Sequence, residues 1–267
     1  MALPEVKVVV NPTRPLVPRL LVWATWAAFA LLFYISVVQT GFGFSDLWGS
    51  VVNFVLFFGR FYPPDWRALP EIWTPLIQTI QMAWLGTVFG VLLGLPWVVW
   101  ASRNTSLNGP FMWFARSFMT VLRSVPDLLY AAVLVAVLAF GPLPGVVALT
   151  IFTMSILAKL GSEYVEAIDP GPLEALKATG ASGTQVVVFG VVPQVAANMI
   201  SFILYIFEVN VRASTVLGYV GAGGIGQLLR TYIADFDYPA IAVLLIIVFA
   251  VVLVIDGVSA FVRSRLT

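Results

Sequence analysis

Residues 75–101 read PLIQTIQMAWLGTVFGVLLGLPWVVWA, 27 consecutive positions without a charged side chain. The hydrocarbon core of a bilayer is about 30 Å thick and a helix crosses it in about 20 residues. This stretch is therefore long enough to span with some tilt. Working outward, residues 20–40 form an uncharged run of 21 and residues 186–207 another of 22. Three further stretches read as spans with blemishes: 108–140 contains Arg116, Arg123 and Asp127, 142–157 is short, and 239–262 holds Asp256 near its end. The expectation is an all-α integral membrane protein with about six transmembrane helices.

Composition agrees. Of 267 residues, 60% are hydrophobic and 10% charged, with a mean hydropathy of +0.98. A soluble domain is roughly 45–50% apolar and about 25% charged, so lipid must be the solvent for most of this surface. The net charge is +1 and the basic residues are scattered, which excludes a nucleic-acid face. With no cysteine and no histidine, a disulfide framework, thiol chemistry and the usual zinc or haem sites are excluded. Lys7, Arg14 and Arg19 precede the first span as they would precede a signal peptide. Its apolar run exceeds the 7–15 residues or so of a signal core, and it reads as an uncleaved first helix.

Basic residues outside the spans divide unequally if the N-terminus is cytoplasmic. Lys7, Arg14, Arg19, Arg103, Lys159, Lys177, Arg263 and Arg265 then lie inside, and Arg60, Arg67, Arg212 and Arg230 outside. The excess favours both termini in the cytoplasm. The organisation that follows is a cytoplasmic tail (1–19), a first span (20–40) and an outer segment (41–74) whose residues 47–58 form an interfacial helix. A core of five spans (75–262) comes next, with a cytoplasmic loop at 159–185, a tight outer hairpin at 141–145 and an outer glycine-rich segment at 212–237. A short cytoplasmic tail (263–267) ends the chain.

The cytoplasmic loop reads EYVEAIDPGPLEALKATGAS over residues 163–182. Pro172 suits the first turn of a helix and Gly180 the left-handed position past its end, with Asp169 or Gly171 able to cap. The helix between is about eight residues, too short to be stable alone in water. Leu173 and Leu176 give it one apolar face, while Glu174, Ala175 and Ala178 leave the other thinly covered. That bare face lets another protein approach the backbone closely.

Glu174-Ala175-Leu176, then Gly180, then Pro193 resembles the EAA loop of binding-protein-dependent ABC importer permeases. The match departs from that pattern in two places: Leu176 stands where alanine is usual, and Gly190-Val191-Val192-Pro193 replaces the usual Ile-x-Leu-Pro. The segments EAIDPG (166–171), ATGAS (178–182), VNVRAST (209–215) and VGAGGIG (220–226) are most similar to the phosphonate importer permeases. The resemblance runs from about Leu76 to the C-terminus. It implies the type I ABC importer permease fold in the inner membrane, working as a homodimer with two cytoplasmic ATPase subunits that carry ATP and Mg2+. An outer solute-binding protein would deliver phosphonate or a related oxyanion such as a phosphate ester or phosphite. It also implies that Asp169, Leu173, Glu174, Ala175, Lys177, Ala178, Thr179 and Gly180 form a coupling helix against the ATPase. The alternatives are an importer of another solute such as an amino acid, a self-sufficient channel or ion-coupled carrier, and a structural scaffold.

A charge at mid-bilayer costs about 2.5–3.5 kcal/mol on insertion scales, so the intramembrane charges need a reason. Arg123 and Asp127 are four apart, expected on one face of a helix that Pro126 kinks by freeing the carbonyl of Leu122. Glu208 and Arg212 repeat the spacing at the outer end of the fifth span. Each pair is either a packing ion pair or, with the neighbouring hydroxyls of Ser124, Ser214 and Thr215, part of a pathway for an anion. Gly86, Gly90 and Gly94, spaced by four, mark close helix packing, either within one subunit or at the interface of a dimer. Gly221–Gly226 fits G-x-G-x-x-G but lacks a βαβ unit, and reads as a flexible turn or a protein-lined re-entrant element. No G-x-x-x-x-G-K-[ST] motif and no nucleophile–base pair is present, so the chain reads as a transport subunit and not an enzyme.

Tags at Met1 and Thr267 should resist external protease in intact cells, whereas a tag near Asp65 should be cut. Cleavage at either terminus contradicts this topology.

Overall fold

The computed structural model describes residues 16–41, 43–106 and 108–266. Of the tail expected over 1–19, residues 1–15 lie outside that range. The chain divides into two units, Met1–Gly59 and Arg60–Thr267. The first holds α1 (Leu16–Thr40) and α2 (Phe44–Gly59). The hydroxyls of α1 turn back on its own backbone, Thr25 Oγ1 donating to Val22 O and Ser36 Oγ to Leu32 O, each at 2.8 Å. A polar group facing lipid has no other partner.

In the second unit a 3-10 turn at Trp66–Ala68 leads into α3 (Leu69–Ala101). Next come α4 (Gly109–Ser124), α5 (Asp127–Leu138), α6 (Pro142–Glu166), the short α7 (Gly171–Ala178) and a single turn α8 (Gly183–Gln185). A π-helical stretch, Val186–Val191, passes directly into α9 (Val192–Leu217). After a second π stretch (Gly218–Ala222) come α10 (Gly224–Ala234) and α11 (Tyr238–Leu266). Five helices are long and apolar enough to cross a membrane, and the bent pair α4–α5 makes a sixth if it counts as one span.

The centre of this unit is the contact between α3 and α6. A Cβ on Gly86 would strike Leu149, one on Gly90 would strike Thr153 and the carbonyl of Thr150, and one on Gly94 would press on Met154 and Leu157. The glycine stripe is a packing surface within one chain, and it brings the two backbones together. Leu76 and Ile72 of α3 pack with Ile225 of α10 and Leu244 of α11 at one end. At the other, Val98, Leu157, Val165 and Leu173 pack with Val186 and Val191. These are called the α10 end and the α7 end below.

Three expectations need correction. The span at 108–140 is not one kinked helix: α4 and α5 meet at 81°. Val125, placed before a proline, takes an extended conformation (φ −89°, ψ 123°), as the ring of Pro126 demands. The carbonyl of Leu122 is taken by the hydroxyl of Tyr130 at 2.9 Å, so the open ladder is satisfied without closing the helix. The hairpin expected at 141–145 lies earlier, where Ala139 (φ 67°) and Gly141 (φ 143°) turn the chain. Pro142 and Pro144 already belong to the first turn of α6, where a missing N–H costs nothing.

The third correction concerns 212–237, expected as an outer glycine-rich loop. Helix continues through α9 to Leu217 and on to the kink at Gly221, and Gly221–Gly226 are buried. Gly221, Gly223 and Gly224 have φ of 102°, 80° and 69°, values that only glycine adopts without strain. The turn is held from α3, the N–H of Gly224 donating to Gln78 Oε1 and that of Ile225 to Thr79 Oγ1, both at 2.8 Å. It is an ordered, protein-lined element.

Gly90→Val should cost about 3 kcal/mol, at the upper part of the overpacking range, because backbone as well as side chain must move. Gly109→Ala, where an added Cβ meets nothing within 4 Å, should be neutral. Thermal unfolding in detergent measures both, and equal midpoints contradict the role given to the α3–α6 contact.

Candidate functional site: the coupling helix and the charged interior

The helix read from the loop is α7. Asp169 Oδ1 accepts the N–H of Gly171 at 2.9 Å and starts it. Gly180, at φ 83°, ends it: its N–H donates to Lys177 O at 3.0 Å and that of Ala181 to Leu176 O at 3.2 Å. This pair of bonds is the Schellman motif. Ser182 and Gln185 then form a capping box for α8, so the chain reverses sharply into the long α8–α9 helix. Leu173 is buried and Leu176 half-buried, whereas Glu174, Ala175, Lys177, Ala178 and Thr179 are exposed. The apolar face sits on the protein and the bare face is open.

Just before α7, Glu166 gathers three elements. Its Oε1 accepts the N–H of Arg103 at 2.7 Å and pairs with the guanidinium of Arg116, whose Nε donates to Ala101 O at 2.7 Å. Asn104 Nδ2 adds a bond to Val165 O at 2.9 Å. The end of α6, the turn after α3 and the helix α4 are thereby tied at the base of α7.

Near the midpoints of α3 and α6 lies a buried polar cluster. Asn210 of α9 is fully buried, and its Nδ2 donates to Thr87 Oγ1 and Thr153 Oγ1, both at 2.8 Å. Thr87 in turn donates to Ala83 O at 2.7 Å. Half a turn towards the α7 end, Glu208 is 5% exposed. Arg263 Nη1 lies 2.9 Å from its Oε1 and Arg212 Nη2 3.7 Å from its Oε2. Arg212 also reaches Asp256 Oδ1 at 3.5 Å. Two acids and two bases thus link α9 to α11 with no net charge. At the α10 end, Tyr232 donates to Glu71 Oε2 at 3.1 Å. Burial first, then that bond and the neighbouring carboxylates, push its hydroxyl up to about 12, so it remains a donor at neutral pH.

Residues 86–267 match the family described as binding-protein-dependent transport system inner membrane component. The chain belongs to this family. It is 39% identical over 210 residues to the phosphate-import permease protein PhnE of Mycolicibacterium smegmatis, covering 78% of this chain and 40% of that longer protein. It is 37% identical over 207 residues to the phosphite transport system permease protein PtxC of Stutzerimonas stutzeri, covering 78% and 75%. In structure it is similar to a chain of the MetNI methionine ABC transporter in an inward-facing conformation. There the TM-score is 0.68 and the identity 21%, over 76% of this chain and 99% of that one. The permease therefore has the type I ABC importer fold and is a multi-pass inner-membrane protein.

Two of the residues that depart from the family's loop pattern, Leu176 and Gly190, sit against each other. A Cβ on Gly190 would lie 3.0 Å from Leu176 Cδ1 and 3.4 Å from Leu173 Cδ1. The larger residue on α7 occupies the space that the smaller residue on the π stretch leaves. Gln194 Nε2 closes the same corner, donating to Gly190 O at 2.8 Å.

The pathway candidates separate. Arg123 and Asp127 lie on two different helices and form no ion pair with each other among the described residues, which corrects the single-face reading. Glu208 and Arg212 do not end the helix that carries them, which runs on to Leu217, and partners on α11 neutralise them. Sequence spacing could not show those partners, which lie about 50 positions away. Ser214 is buried and donates to Val211 O at 2.8 Å, and Thr215 donates to the same carbonyl at 3.4 Å. Ser124 is exposed and donates to Val121 O at 2.7 Å. The cluster of Asn210 with Thr87 and Thr153 is not foreseen from the sequence, although Asn210 lies in the VNVRAST segment and Thr87 sits beside Gly86 in the stripe that packs on α6. Among the described residues no group of three or more acidic side chains is placed to hold a metal.

Arg263→Leu leaves Glu208 buried with only the longer contact to Arg212, and should cost about 3 kcal/mol. Adding Glu208→Leu should recover most of it, because Arg212 and Asp256 remain paired. Thermal midpoints of the two variants decide the matter; additive losses contradict a mutually neutralising network.

Proposed function

We propose that this permease is the membrane-spanning subunit of an ATP-driven importer of a phosphonate or a related phosphorus oxyanion such as phosphite. A second copy completes the pathway, two cytoplasmic ATPase subunits that bind ATP and Mg2+ power it, and an outer solute-binding protein delivers the solute. The α7 end faces the cytoplasm. The observation that carries this reading is α7: a two-turn helix anchored by Leu173 and Leu176, with Ala175 and Ala178 exposed on its other side. A groove on the ATPase fits that small-residue face. Closure of two ATPases would move α7, and the Glu166–Arg116 tie would carry the motion into α4. The substrate class rests on the relatives at 37–39% identity that are named for phosphate and phosphite import.

Ala175→Arg should leave the permease folded but put an unpaired cation into the groove, lowering ATPase capture and coupled transport by about tenfold or more, a loss of 1.4 kcal/mol per factor of ten. Normal ATPase pull-down together with wild-type transport overturns the docking role.

A further inference from the structure

The break between α4 and α5 opens a cavity of about 220 Å³ lined by Arg123, Pro126, Asp127, Tyr130 and Ser155, among others. Arg123 is exposed at the end of α4, and among the described residues no acid lies within ion-pair distance of it. The contrast with the rest of the interior is sharp. Arg116 is spent on Glu166, Arg212 on Glu208 and Asp256, and Arg263 on Glu208. An unpaired guanidinium within a bent membrane span cannot face lipid without penalty, and such groups face protein or a water-filled cavity. The other polar groups here are occupied by the backbone: Tyr130 Oη donates to Leu122 O, Ser155 Oγ to Phe152 O, and Asp127 Oδ1 accepts the N–H of Leu128. The guanidinium is the one of these groups left with donors to offer.

We infer that this cavity is a transient station for the anion in transit, with Arg123 as its binding residue and Asp127 as the counter-charge that keeps binding weak. A station on a transport path has to attract the ion and also release it. A guanidinium alone would hold a phosphorus oxyanion through paired, charge-assisted bonds. A carboxylate on the opposite lip of the break opposes that grip. This station rests on the importer reading above and adds to it a site and a selectivity by charge.

The chain has no cysteine, so Ser124→Cys places a single reporter beside Arg123. In the assembled complex, a negatively charged methanethiosulfonate should modify it faster than a positively charged one of similar size, by about tenfold or more. Arg123→Gln in that background should bring the ratio towards one, and Arg123→Lys should preserve it. Asp127→Asn keeps an oxygen for the Leu128 N–H and should raise the ratio. Millimolar methylphosphonate should slow the modification where equal methionine does not. A ratio near one in the parent, or one that Arg123→Gln leaves unchanged, overturns the station and leaves the importer reading intact. Charge-selective labelling in a complex that imports no phosphorus oxyanion would instead overturn the substrate class and keep an anion station.

Discussion

The close approach of α3 and α6 along Gly86, Gly90 and Gly94 is the contact on which the rest of the 60–267 unit depends. In lipid there is no hydrophobic drive to bring two apolar helices together, and association relies on packing and interhelical hydrogen bonds. Glycine supplies the first by removing the side chains that would hold the backbones apart. The short distance supplies the second, because Thr87 and Thr153 come within reach of one amide, that of Asn210. With α9 fixed in depth, Glu208 meets Arg263 and Arg212 meets Asp256, and α11 is fixed too. Each polar contact follows from the packing before it.

This rigid centre has contrasting ends. The α10 end is bound by backbone donors to Gln78 and Thr79 around glycines that no other residue could replace without strain. The α7 end carries a helix held by two leucines and open on its outer side, beside the charge tie that joins α6 to α4. A device that receives force needs such a lever, and the tie from Glu166 to Arg116 leads along α4 to the break at Pro126. In the proposed mechanism the same helix receives a push at Arg116, near its middle, and carries an unpaired arginine, Arg123, in its last turn.

Much of this was legible in the sequence. The spans follow from uncharged length, α7 from Pro172 and Gly180, and the close contact from glycines four apart, because each is a local property. The break at Pro126 was underestimated: the restriction that proline imposes on Val125 is a local signal that was available, but the capture of the Leu122 carbonyl by Tyr130 depends on the chain having already turned. Glu208 and Arg212 were misplaced for another reason. Ending a span at its first charge is sound for a lone helix, and fails where a second helix brings Arg263 and Asp256 to neutralise that charge. The partners of Asn210, a residue of the VNVRAST segment, are not legible, because one polar residue in a helix says nothing of which hydroxyls two other helices will present to it.

The central claim is that transport through this permease is driven by ATP hydrolysed on subunits docked at α7. The most direct measurement is uptake of radiolabelled phosphite or methylphosphonate by proteoliposomes holding the permease with its ATPase, with solute-binding protein outside and ATP inside. The account predicts uptake against a gradient that stops when ATP, ATPase or binding protein is left out. Uptake of equal rate by the permease alone, running only down the gradient, would contradict it.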